Sequence, residues 1–145
     1  MNLHMRQELK EYNRLYKEMN NIYHDIALKL GLSDSAFDIF YAIAECGDGC
    51  TQRDICQMSF ISKQTIHSSI RKLEQEGYVF FKKETGRSRH IFLSPKGELL
   101  LREKIFPVIE IENQSFADMT PEESAELLRL NSKYTSRLKE HADSL

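Results

Sequence analysis

Seven basic side chains crowd into the 29 residues from Ile61 to Arg89: Lys63, Arg71, Lys72, Lys82, Lys83, Arg87 and Arg89 stand against only Glu74, Glu76 and Glu84. The local excess is +4, whereas residues 1–60 and 95–145 each carry −3 and the whole chain −2. Screening limits an exposed charge to roughly 10 Å in 0.1 M salt, so a polyanion responds to the local excess rather than to the total. The chemistry such a segment offers is neutralisation of phosphates. Charge alone fits a solvated surface at least as well, and the elements that carry these residues have to decide.

Other reactive side chains offer less. Cys46, Cys50 and Cys56 lie within eleven residues, but a zinc site needs four ligands, and Cys-x3-Cys without a nearby histidine or second pair is a poor set. Cys46 and Cys56 read as small hydrophobes on buried helices. Cys50, placed in a turn, reads as the thiol most open to solvent and is the candidate redox residue; nothing nearby in the sequence supplies a donor to lower its pKa, so an inert thiol is the preferred reading. His4, His24, His67, His90 and His141 form no ligand pair. No Gly-rich phosphate loop, nucleophile elbow or paired-carboxylate signature is present, so no enzyme, cofactor or metal is expected.

Hydrophobic periodicity supplies the elements. Residues 5–30 read as one long helix on Leu9, Tyr12, Tyr16, Met19, Tyr23, Ile26 and Leu30, ended by Gly31. Ser33 or Asp34 caps a helix to about Cys46 that is apolar on nearly every side and therefore central. Thr51-Gln52-Arg53-Asp54 is a capping arrangement that opens a short helix to about Met58, with Ile55 and Met58 facing inward. Ser62 caps the next helix, whose stripe is Ile66, Ile70 and Leu73 and whose stop is Gly77. The period then shortens to two: Tyr78–Glu84 and Arg89–Leu93 read as a hairpin around Thr85-Gly86-Arg87-Ser88. Ser94-Pro95 starts a long helix in which Pro107 predicts a kink, and Thr120-Pro121-Glu122-Glu123 opens the last helix.

A helix pair followed at once by a hairpin is a winged helix-turn-helix. The fold class is therefore mainly α with a small two-stranded β wing (α+β), a winged helix-turn-helix lobe plus a helical dimerisation domain. The boundaries are 1–32 for an N-terminal dimerisation helix, 33–94 for the lobe and 95–145 for C-terminal dimerisation helices. The polar face of the second helix holds Lys63, Gln64, His67, Ser68, Arg71 and Lys72, with Thr65 at its margin. Such a face suits a DNA major groove. Ser62 and the free N–H groups beside it suit a phosphate. The tip around Arg87 and Arg89 suits a minor groove, and Lys82 and Lys83 the backbone. Thr51 and Gln52 complete the candidate DNA contacts. Each signal is weak alone; in this order, within the one basic segment, they point to double-stranded DNA.

The motifs Leu32-Ser33-x2-Ala36-Phe37, Cys50-Thr51-Gln52-Arg53-Asp54-Ile55, Ile61-Ser62-Lys63-Gln64-Thr65-Ile66, Leu73-Glu74-x2-Gly77-Tyr78-Val79 and Gly86-Arg87-Ser88-Arg89-x-Ile91-x-Leu93-Ser94-x2-Gly97 resemble the MarR family of bacterial transcriptional regulators. The resemblance implies a homodimer on a palindromic operator. It implies that Ser62, Lys63, Gln64, Thr65, His67 and Ser68 read DNA and that Arg87 is the wing arginine. A repressor with a small aromatic effector is the behaviour it implies. Tyr12, Tyr16, Tyr23, Phe37, Phe40 and Tyr41 are the candidate effector pocket, although on sequence alone plain core packing is the better account of them. The terminal helices carry more large apolar residues than a small lobe covers, which independently favours a dimer. A redox sensor of the same fold and a winged-helix protein-interaction module without DNA remain the alternatives. The polar N-terminus, the odd cysteine count and the lack of an 18-residue apolar run predict a cytoplasmic chain with no membrane partner.

Overall fold

The computed structural model describes residues 3–83 and 89–145. The chain divides into two compact units, Met1–Ile105 and Phe106–Leu145.

In the first unit, helix α1 spans Gln7–Leu30 and ends where Gly31 takes a left-handed conformation (φ 69°). The Gly31 and Leu32 amides then donate to the carbonyls of Leu28 and Ala27, satisfying groups that a helix end leaves open. Helix α2 spans Asp34–Cys46, with the Ser33 hydroxyl accepting from the Ala36 amide at 3.1 Å. Phe37, Ile39, Phe40, Ala42 and Ile43 are all buried, which confirms α2 as the central helix. Strand β1 is only Cys50–Thr51. Helix α3 (Gln52–Met58) opens on a reciprocal capping box: the Asp54 amide donates to Thr51 Oγ1 (3.1 Å), and the Thr51 amide donates to Asp54 Oδ2 (2.8 Å). Ile55 is buried as expected, but Met58 is 37% exposed and does not face the core. It is the last residue of its helix, where the inward stripe has run out.

Helix α4 spans Lys63–Gln75. Strands β2 (Val79–Lys83) and β3 (Arg89–Leu93) follow. The expected two-stranded wing gains a third strand: the antiparallel order is β1-β3-β2, with Cys50 opposite Ile91, Phe81 opposite Ile91 on the other side, and Lys83 opposite Arg89. The candidate turn residues 84–88, Arg87 included, lie outside the described residues.

Helix α5 (Pro95–Leu100) is capped by Ser94, whose hydroxyl accepts from the Gly97 amide at 3.1 Å. Pro107 predicts a kink in one long helix. Between α5 and helix α6 (Phe106–Ala117) the structure has a π-helical turn, Leu101–Ile105. Pro107 has no N–H to give the carbonyl four residues back, and a widened turn just ahead of it accommodates the loss. Within the first unit, that turn lets Lys104 Nζ donate to the Leu30 carbonyl at 2.7 Å, a cation on the negative end of α1. The largest fully buried side chains are isoleucines with one aromatic: Ile39, Phe40, Ile43, Ile55, Ile66, Ile70, Ile91 and Ile105.

The second unit consists of α6 and helix α7 (Pro121–Ala142). Helix α7 opens on the full capping box between Thr120 and Glu123. None of its 22 residues is buried, and Leu127, Leu128, Leu130, Tyr134 and Leu138 are all exposed.

Candidate nucleic-acid interface

Helix α4 has two unlike faces. Ile66, Ile70 and Leu73, at four- and three-residue steps, are buried to 5% exposure or less. Ser69, at the border, donates to Ser35 of α2 at 2.9 Å. This rigid seat leaves Ser62, Lys63, Gln64, Thr65, His67, Ser68, Arg71 and Lys72 exposed. No carboxylate occurs from Ile55 to Leu73, so nothing on this stretch repels an approaching phosphate.

The helix start is ordered by its own side chains. Ser62 Oγ accepts from the Thr65 amide and donates to Thr65 Oγ1 at 2.9 Å, and Ser68 Oγ donates to the Thr65 carbonyl at 3.0 Å. Lys72 has only a long surface pair with Glu76 at 3.9 Å, an interaction of little energetic weight that a phosphate can replace. Thr51 is spent on capping α3. Its amide holds the Asp54 carboxyl below the usual carboxylate range. Gln52 reaches across to α4, where its side-chain amide lies 3.2 Å from His67 Nδ1.

The structure brings some of the candidate contacts together and separates others. Gln52, His67, Arg71 and Arg89 share a groove of about 310 Å³ with Ile70, Glu74 and Phe81. The Arg89 guanidinium sits 4.2 Å from the centre of the Phe81 ring, a cation–π contact that fixes a long side chain at low entropic cost. Lys82 is on the opposite face of the sheet: its ammonium lies 5.2 Å from the Phe92 ring and 5.6 Å from Phe80, themselves stacked at 5.8 Å. Lys83 is placed by strand pairing, opposite Arg89.

A second groove, of about 480 Å³, was not legible in the charge count. It is lined by Gln52, Arg53, Cys56 and Gln57 of α3 and by Lys63. The i, i+4 spacing of Arg53 and Gln57 on α3 is the signal that could have found it.

The cysteines are placed the other way round from the sequence expectation. Cys46 is exposed, Cys56 is half-buried and Cys50 is buried. Pairing of β1 with β3 takes Cys50 out of the turn and onto the sheet opposite Ile91. Burial, then the neighbouring Cys46 thiol, pushes the Cys50 thiol up to about 12. It is not a thiolate at neutral pH and is a poor redox residue. Among the described residues no group of three or more histidines, cysteines or carboxylates is arranged to hold a metal ion.

The six candidate pocket aromatics do not form one lining. Tyr23, Phe37 and Tyr41 make a continuous run, with ring centroids 6.4 and 5.9 Å apart. Phe40 is fully buried and packs edge-on against Tyr78 at 5.9 Å. Tyr12 and Tyr16 are exposed on α1. No helix among the described residues is long and apolar enough to cross a membrane.

A buried-backed recognition helix, a helix crossing ahead of it and an antiparallel sheet beside it define a winged helix-turn-helix. Residues 30–90 match the model of the MarR family. Solved MarR family structures share the fold over most of the chain. NMB1585, a MarR family regulator from Neisseria meningitidis, matches at 18% identity and a TM-score of 0.78, covering 96% of this chain and 98% of that one. The Staphylococcus aureus MepR–DNA complex matches at 19% identity and 0.67, covering 93% and 99%. BpsR of Bordetella bronchiseptica, whose DNA binding is regulated by 6-hydroxynicotinic acid, matches at 18% and 0.64, covering 86% and 98%. Comparison with curated proteins finds no match.

Proposed function

We propose that this chain is a sequence-specific regulator of transcription that binds double-stranded DNA as a homodimer, represses from a palindromic operator and is released by a small aromatic ligand. The observation that carries the reading is the carboxylate-free polar face of α4, exposed from Ser62 to Lys72 on a helix whose other face is fully seated. Gln64, Thr65, His67 and Ser68 are the base-reading residues. Lys63, Arg71 and Lys72 hold phosphates, joined by Lys82 and Lys83, and Arg87 and Arg89 enter the minor groove. The dimer is supported by α7, which exposes a row of leucines and buries nothing. A two-fold pair would set its recognition helices one DNA turn apart, about 34 Å. The ligand is supported by the Tyr23–Phe37–Tyr41 run and by the relative regulated by 6-hydroxynicotinic acid. It acts by favouring a spacing of the lobes that misfits adjacent grooves, so ligand and DNA weaken each other's binding equally.

Fluorescence anisotropy with 30-bp duplexes selected from a random pool tests this. Binding is expected to weaken steeply with salt, and each phosphate contact removed is expected to flatten the log–log slope by about 0.9. Gln64→Ala with Arg87→Ala is expected to weaken DNA binding and to reduce sequence preference while leaving the dimer intact. Unchanged affinity in that double variant would refute the helix-and-wing assignment. No binding even at low salt would leave a protein-interaction module.

A further inference from the structure

Phe60 is 95% exposed, and among the large hydrophobic side chains described only the terminal Leu145 is more so. It stands in the short connection between α3 and α4. That connection is not loose: the Ile61 amide donates to Ser59 Oγ at 3.0 Å, and Ser62 caps α4 on the other side. The ring is thus held out between two anchored neighbours, two residues ahead of the cap Ser62. An exposed phenyl ring forfeits the burial free energy that an aromatic side chain can supply, and this position invites a partner that covers it.

The surroundings identify the partner. In sequence Phe60 stands between Met58-Ser59 and Ile61-Ser62-Lys63-Gln64, and the 480 Å³ groove of Gln52, Arg53, Cys56, Gln57 and Lys63 belongs to the same pair of helices. Phe60, with the part-exposed Met58 two residues before it, is a small apolar spot beside Lys63 and Arg53, short of the several hundred Å² of continuous surface that a protein interface needs. It matches a single methyl group on a polyanion. Thymine presents such a methyl in the major groove, where the first residues of a recognition helix meet base edges. We propose that Phe60 is a specificity-determining residue that covers a thymine 5-methyl group at the edge of the sequence read by α4. The proposal rests on the DNA-binding reading above.

The test is a double-mutant cycle on the tightest selected 30-bp duplex, made once with thymine and once with deoxyuracil throughout. Loss of a covered methyl is expected to weaken wild-type binding roughly four-fold. Phe60→Ala should bind the thymine duplex roughly ten-fold more weakly than wild type and should distinguish the two duplexes less than two-fold, on the order of measurement error. Phe60→Leu, which keeps an apolar side chain, should retain most of the discrimination. The salt slope should not change, because no phosphate contact is lost. Equal losses on both duplexes would move the ring to the sugar–phosphate backbone and overturn the proposal, as would an unchanged affinity in Phe60→Ala. Failure of the wild-type protein to bind any duplex would sink the DNA-binding reading itself.

Discussion

At the scale of single residues, the tightest constraint is one the sequence hides. A Cβ built on Gly97 would lie 2.1 Å from the Tyr78 carbonyl oxygen and 3.1 Å from a Leu93 methyl. The first contact is with backbone, which cannot step aside as a flexible side chain can. The same carbonyl accepts from the Ser94 amide at 3.0 Å and from its hydroxyl at 3.1 Å, so the start of α5 is pinned against the start of β2. Gly97→Ala is expected to lower stability by about 2 kcal/mol through overpacking, seen as a lower urea midpoint, even though alanine is the better helix former. A gain in stability would mean that α5 can shift. Cys50 teaches the converse about reading residues singly. Its chain neighbours, Gly47, Asp48 and Gly49, mark a turn, and only pairing with a strand some forty positions later shows that its side chain is inside.

At the scale of elements, α4 separates seat from contact. Ile70 is 1% exposed and Arg71 beside it is open. Ile70→Ala is expected to cost about 2–5 kcal/mol of stability. Arg71→Ala is expected to leave stability within about 0.5 kcal/mol while weakening DNA binding and flattening its salt slope. Urea melts and binding isotherms on both variants check the pair; a stability loss in Arg71→Ala would make it structural. The helices were legible because burial imposes a 3.6-residue period and because caps announce themselves: Ser33, Thr51, Ser62, Ser94 and Thr120 all accept an amide where the sequence placed them. The two-residue strand β1 was not legible, since two residues carry no period and its place is set by the distant Ile91. Pro107 announced a disturbance but not its form, because either a bend or a widened turn relieves the missing N–H.

At the scale of the whole molecule, the charge pattern −3, +4, −3 along the chain sorts partners. The basic middle holds α4, β2 and the start of β3, and the acidic flanks hold α1, α2, β1 and α3 on one side and α5, α6 and α7 on the other. Leu128→Glu on α7, 61% exposed in the single chain, is expected to shift sedimentation from dimer to monomer and to weaken DNA binding by more than about 100-fold, because a lone lobe loses the effective concentration supplied by its twin. A dimer unperturbed by that change would place the interface elsewhere. The function class was legible at this scale from the order of elements, but the six aromatics were not separable into a run and a core residue, since only packing tells Phe40 from Phe37.

The hydrogen bond from Lys104 to the carbonyl of Leu30 spans 74 positions, and that distance has a consequence in time. A ribosome adds roughly 5–20 residues each second, so roughly 4–15 s pass between the synthesis of Leu30 and that of Lys104. Throughout that interval the Leu30 carbonyl at the end of α1 lacks the Lys104 ammonium, and the nascent chain carries its first helix without this long-range contact. The earliest helix to be made is thus among the last to be completed, and slow translation between these two residues would prolong its exposure to proteases and chaperones.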